Sequence, residues 1–245
     1  MTAPDTAAPG APVVAKSEAW AAPPLIAGDW RDLTMAESVP LLLRYAQKAE
    51  SERLRRLFVE HWPVRVRAMR PRCYPGWILA EVEAVLPDGE AGLLAFLYGP
   101  GGITTIDGSS NPIHDLNGTG ALAIKEPALA LDYLRFFCSA IHGEEGRFQI
   151  VESPFDLLPI ADAEARAAVL AASKSLRQAS VHGGDGTYLG HGSVLYGGSL
   201  FHATFSVQPT GNITMVDDEP VTRLRVRREL FRPPFRIVDD EGYDA

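Results

Sequence analysis

The chain has 245 residues, 46% of them hydrophobic, and carries a formal net charge of −8 with only two cysteines. That is apolar material enough for a sizeable core, while the cysteine count excludes a disulfide framework and the charge argues against non-specific binding of nucleic acid or membrane by the molecule as a whole. No window approaches the roughly 20 consecutive apolar residues of a membrane span.

Residues 1–24, rich in Ala and Pro, have no periodicity and too little bulk to offset the entropy of ordering, and read as a disordered tail. Residues 25–239 follow as one domain. Thr34-Met35-Ala36-Glu37 has the form of a capping box and predicts a helix over 35–61. Its apolar face carries Leu41, Leu42, Tyr45, Leu54, Leu57 and Phe58, Pro40 complicates the first turn, and Trp62-Pro63 ends it. Alternation over 64–67 and 77–85, then a nearly continuous apolar run over 93–98, implies an antiparallel meander. Stretches 107–112 and 117–120 read as turn chemistry, with a short strand at 121–124. A helix is expected over 127–141, with Leu131, Leu134, Phe137, Cys138 and Ile141 on one face, and another over 162–177. Residues 148–151 read as a strand, 183–198 as a glycine-rich loop and strand, 222–228 as a strand, and 240–245 as an acidic tail.

The sharpest local pattern is a β-hairpin over 201–217. Phe201, Ala203, Phe205 and Val207 alternate with His202, Thr204, Ser206 and Gln208, and Pro209-Thr210-Gly211-Asn212 supplies the turn. An earlier stretch echoes it: Gly101, Ile103, Thr104 and Asp107 stand in the spacing of Gly211, Ile213, Thr214 and Asp217. Each is followed by a second echo, Phe148-Gln149-Ile150-Val151-Glu152 and Phe235-Arg236-Ile237-Val238-Asp239, so 64–152 and 188–239 are candidate copies of one unit. The expected fold is α+β, with an antiparallel sheet built on two similar hairpins and helices packed around it.

Chemistry is less sharply written. His182, Asp185, His191 and His202 gather in the glycine-rich region and offer ligands for zinc or iron, without H-E-x-x-H or another spacing that fixes two ligands on one element. Cys138 and His142 stand four apart on the expected helix, where core filling competes with a thiolate–imidazole pair. Asp217-Asp218-Glu219 reads as an acidic turn. Basic residues carry more: Arg65 and Arg67 alternate with Val64 and Val66, and Arg223, Arg225 and Arg227 with Leu224 and Val226. On one sheet face these arginines would form a patch for carboxylates or phosphates. The function expected is that of a non-catalytic binding or assembly protein using this basic strand pair. The alternative is a hydrolase or metal-dependent enzyme using the histidine cluster. No motif asks for a cofactor. A protein with an acidic surface is the expected partner ahead of nucleic acid, with no membrane, and cysteine usage and the absence of an export signal point to the cytoplasm.

Overall fold

The computed structural model describes residues 19–48, 63–86, 89–157, 162–184 and 186–239. In chain order it contains β1 (Arg31–Asp32), α1 (Met35–Lys48), β2 (Pro63–Met69), β3 (Ile78–Val85), β4 (Ala91–Gly99), β5 (Gly102–Ile106), α2 (Asn111–Gly118) and α3 (Pro127–Ala140). Then come β6 (His142–Gly143), β7 (Gly146–Arg147), β8 (Gln149–Val151), α4 (Ala163–Ala172) and β9 (Ser180–Gly184). The chain ends with β10 (Thr187–Tyr196), β11 (Ser199–Val207), β12 (Ile213–Arg223), β13 (Arg228–Arg232) and β14 (Phe235–Asp239). The fold is α+β and its sheets are antiparallel.

Two larger sheets form instead of one. The first, of seven strands, runs β1-β2-β3-β4-β14-β13 with β5 also on β4; the second, of five, runs β12-β11-β10-β8 with β9 also on β10. Each contains an inner strand whose far edge is divided. Residues Ala95 to Gly99 of β4 pair with β5, while Leu93 and Leu94 pair with β14. Likewise the first half of β10 pairs with β9, and Ser193, Val194 and Leu195 pair with β8. The two echoing strands therefore cross over: β8 joins the sheet of the later hairpin, and β14 joins the sheet of the earlier one.

Three apolar clusters hold these layers. Leu41, Leu42 and Tyr45 of α1 pack on Val66, Val82, Leu94, Phe96 and Phe235 on one face of the first sheet, with Tyr45 and Phe96 ring centroids 4.7 Å apart. Helix α3 lies between the sheets, so Tyr133, Leu134 and Phe136 share one core with Leu79 and Leu97 on one side and Val194 and Phe205 on the other. Val169 and Ala172 of α4 close over Leu195, Leu200 and Val226 on the far face of the second sheet. Each fully buried large side chain contributes about 1.5–3 kcal/mol.

Several local expectations change. The described part of the first helix is Met35–Lys48, with Pro40 inside it; its expected continuation over 49–61 lies outside the described residues. Only half of the capping box forms: Glu37 accepts the Thr34 amide at 3.0 Å, but the Thr34 hydroxyl donates to Glu37 instead of accepting a helix amide. Residues 111–118, of which 111–112 and 117–118 were expected as turn chemistry, form α2, whose buried side chains Ile113 and Leu116 are too few to give a periodic signal. The stretch 121–124 is irregular, its Ala123 amide donating to the Cys73 carbonyl. The glycine-rich stretch is mostly strand. A Cβ at Gly190 would meet Leu134 at 2.7 Å and Val181 at 3.4 Å, so glycine there admits close packing and does not loosen the chain. Asp217, Asp218 and Glu219 lie within the long edge strand β12 and not in a turn. Residues 1–18 and 240–245 lie outside the described residues. Residues 19–24 are packed: Ala22 is 3% exposed and the segment crosses the first sheet.

Candidate binding cleft

The arginines expected to form one patch are divided. Arg65 and Arg67 stand on β2 in the first sheet, whereas Arg223 ends β12 in the second and Arg225 and Arg227 lie in the connection to β13. The condition for a shared face is not met. Arg225 pairs with Asp162 at 3.2 Å. Leu224 and Val226 do point inward as the alternation required, at 4% and 1% exposure.

Arg65 and Arg67 face inward, on the side of the first sheet away from α1. Arg67 Nε meets Glu81 at 2.6 Å, Glu81 meets Arg236 at 2.7 Å, Arg236 meets Glu229 at 2.7 Å, and Glu229 meets Arg147 at 2.6 Å. Burial opposes charge throughout this row. It dominates at Arg67, whose pKa falls, while at Arg236 two flanking glutamates overcome it and the pKa rises. Glu229 resists burial in the same way, between Arg147 and Arg236, and its pKa is lowered. Arg65 lies beside the row with both Glu83 carboxylate oxygens within 3.2 Å. Removing one member of such a buried pair costs about 3–5 kcal/mol, so Arg67 belongs to the fold and is not available to a partner.

The histidines separate. His182 and His191 stack on the second sheet, ring centroids 5.1 Å apart and 11° from parallel. His191 Nδ1 lies 3.1 Å from the Thr204 hydroxyl, while His202 Nε2 lies 2.8 Å from the Ser175 carbonyl. Asp185 lies outside the described residues. Among the described residues no three His, Cys, Asp or Glu side chains are placed to hold a metal ion. Cys138 and His142 do not share a helical face, because α3 ends at Ala140. Burial pushes the Cys138 thiol up to about 12 and the His142 imidazole down to about 4.

A cleft of about 490 Å³ opens where the end of β2, the following turn, the segment at 26–29 and α3 meet. Its floor is apolar, from Ile26, Met69, Pro71 and Ile78, and four arginines line it against two aspartates: Arg31, Arg70, Arg72 and Arg135 with Asp29 and Asp132. Arg135 is held by Glu152 through two hydrogen bonds of 2.9 and 2.7 Å. Arg72, with a side chain 64% exposed, meets Asp132 at 2.6 Å, which raises its pKa. Arg31 meets Glu37 at 2.7 Å, and the Thr34 amide together with Arg31 holds that carboxyl down to about 2. Arg70 is exposed and makes no ion pair among the described residues. Cys73 lines the cleft as a neutral thiol, its pKa pushed up to about 12 by burial. The chemistry available is recognition of anionic groups over an apolar floor.

The sequence reading had not singled out these four arginines. Arg70-Pro71-Arg72 continues the basic run of β2, and that continuation was the available signal; Arg31 and Arg135 come from other elements and join only in the fold. Comparison with protein-family models, with curated proteins and with solved structures gave no match.

Proposed function

We propose that this is a non-catalytic binding or assembly protein that recognises an acidic protein segment in the arginine-lined cleft. The carrying observation is the lining: four arginines against two aspartates in one concavity of a chain whose net charge is −8, with Arg70 exposed and in no ion pair among the described residues. The volume lies within the range of ordinary ligand sites, about 300–1,000 Å³. Exposed ion pairs such as Arg72–Asp132 contribute about 0–1 kcal/mol and yield readily to a partner carboxylate, and the planar guanidinium fork suits two-point carboxylate recognition. The net negative charge repels a polyanion everywhere outside the cleft, which favours a protein partner over nucleic acid.

The test is replacement of Arg70 and Arg72 by Gln, with a synthetic Glu-rich peptide as probe. Folding should be unchanged, because both side chains are exposed, and binding should weaken by about 1.5–3 kcal/mol for each charge-assisted hydrogen bond lost. Rising salt should weaken the parent's binding in a shallow, saturating way, in contrast to the slope of about 0.9 per phosphate on duplex DNA. Equal binding by the double variant in low salt would overturn the reading. So would stoichiometric zinc, iron or manganese in the purified protein that is lost when His182 and His191 are replaced by Ala.

A further inference from the structure

Residues 19–27 lie across the inner face of the first sheet as an irregular strap. What holds them is mainly their own backbone. Arg67 donates to the Ala22 carbonyl at 3.2 Å, Arg236 to that of Pro23 at 2.8 Å and Arg147 to that of Leu25 at 3.1 Å. Arg65 donates to the Ala19 carbonyl, and the Ala21 amide donates to Glu83 at 3.0 Å. The buried row beneath contains three guanidinium groups, from Arg67, Arg236 and Arg147, and two carboxylates, from Glu81 and Glu229, an excess of one positive charge. Three strap carbonyls turn their negative ends toward those three arginines. Side-chain selection comes from three positions: Trp20 lies under Arg65 and Arg67 at 4.9 and 4.1 Å, and Ala22 and Leu25 are each 3% exposed. The arrangement is that of a groove holding an extended peptide, with the sequence Trp-Ala-Ala-Pro-Pro-Leu as the bound example.

The strap leaves the groove through a tight turn, in which the Trp30 amide donates to Gly28 at 2.9 Å and the Trp30 indole to Ile26 at 2.8 Å, before β1 begins. A connection this short gives the strap a high effective concentration in its own groove, of millimolar order. Reciprocal exchange between two chains cancels that advantage, since each groove is again filled and every contact recurs; only hinge strain and association entropy distinguish the two states. We propose that the first sheet's inner face is a peptide-binding groove that accepts residues 19–27 of a second copy of this chain by reciprocal arm exchange. The segment seated in the groove names that occupant: it fits residue by residue, and every second copy carries it.

The test shortens the hinge. Deletion of Ala27 and Gly28 in the full chain leaves the strap unable to fold back without strain, and light scattering should show a dimer where the parent is a monomer at the same concentration. In parallel, two differently tagged parent chains are incubated together at high concentration and captured through one tag. Heterodimers should form, and Trp20→Ala in both chains, which weakens the same contact in the closed and the exchanged state, should speed their formation and leave their equilibrium yield unchanged. If the deletion variant does not fold, full-length Trp20→Ala is titrated with a fluorescent peptide of residues 17–28; it should bind, and a scrambled peptide should not. A folded, monomeric deletion variant overturns the proposal, as does a Trp20→Ala chain that refuses the peptide. Peptide uptake without any exchange between parent chains overturns the second copy as occupant. The cleft arginines take no part in these readouts, so Arg70→Gln/Arg72→Gln should exchange arms normally, which separates this result from the fate of the cleft.

Discussion

At the residue scale, His142 has the clearest consequence. It stacks on Phe231 with ring centroids 4.5 Å apart, and burial, opposed by the nearby Glu229, lowers its pKa from 6.5 to about 4. Below pH 6.5 the unfolded chain takes up a proton that the folded chain refuses, so stability should fall as pH drops from 6.5 toward 4 and lose nothing more from this group below that. Glu229 adds a second, more acidic decline: its pKa is lowered from 4.5, so its contribution is complete above 4.5 and is lost as pH falls through its folded value. Urea denaturation at a series of pH values should show the first decline in the parent and not in His142→Gln. An unchanged profile in the variant would remove His142 as the cause.

At the element scale, the two hairpins are alike in pattern but not in geometry. Gly101 and Gly211 occupy the same place in the echoing spacing, yet the left-handed glycines are Gly102, φ +126°, and Gly211, φ +89°; each stands two residues after a proline, Pro100 or Pro209. Pro fixes the first turn residue, so the turn counts from it, and the repeated Gly-x-Ile-Thr is one residue out of register with the backbone. A Cβ at Gly211 would lie 2.2 Å from Asn117 Nδ2 and 2.7 Å from the Tyr133 hydroxyl, whereas one at Gly101 would meet Trp77 at an ordinary 3.5 Å. Gly211→Ala should therefore destabilise by more than the roughly 1–2 kcal/mol of a left-handed alanine, and Gly101→Ala should lie within about 0.5 kcal/mol of the parent, as thermal unfolding would show. The sequence made elements legible where local pattern and burial agree. Period-two alternation in β11 and the 3.6 period of α3 were of that kind. It failed at α2, where Ser109, Ser110, Asn111 and Pro112 serve equally as turn and helix-start residues. It also failed at Arg67, because alternation tells which residues share a face and not whether a strap of chain, 45 residues earlier by its Ala22 contact, covers that face. The cleft was illegible for the same reason: its arginines come from β1, the turn after β2 and α3, and only tertiary packing joins them.

At the scale of the whole molecule, the crossing of β8 and β14 ties the two halves together. Residues 1–157 expressed alone would leave Glu81, 0% exposed, without Arg236, and would strip β4 of β14 and β8 of β10. That fragment should not unfold cooperatively by itself and should gain a cooperative transition when residues 162–239 are supplied, a difference that denaturation followed by circular dichroism can read. The second sheet meanwhile ends in β12, eleven residues long and almost wholly exposed, with Asp217, Asp218, Glu219 and Pro220 at its middle and two register shifts against β11. Carboxylates repel a second edge of the same kind, and proline withholds a donor from it. An edge so guarded takes no further strand, so the second sheet is finished at β12 and does not grow by lateral addition of another molecule.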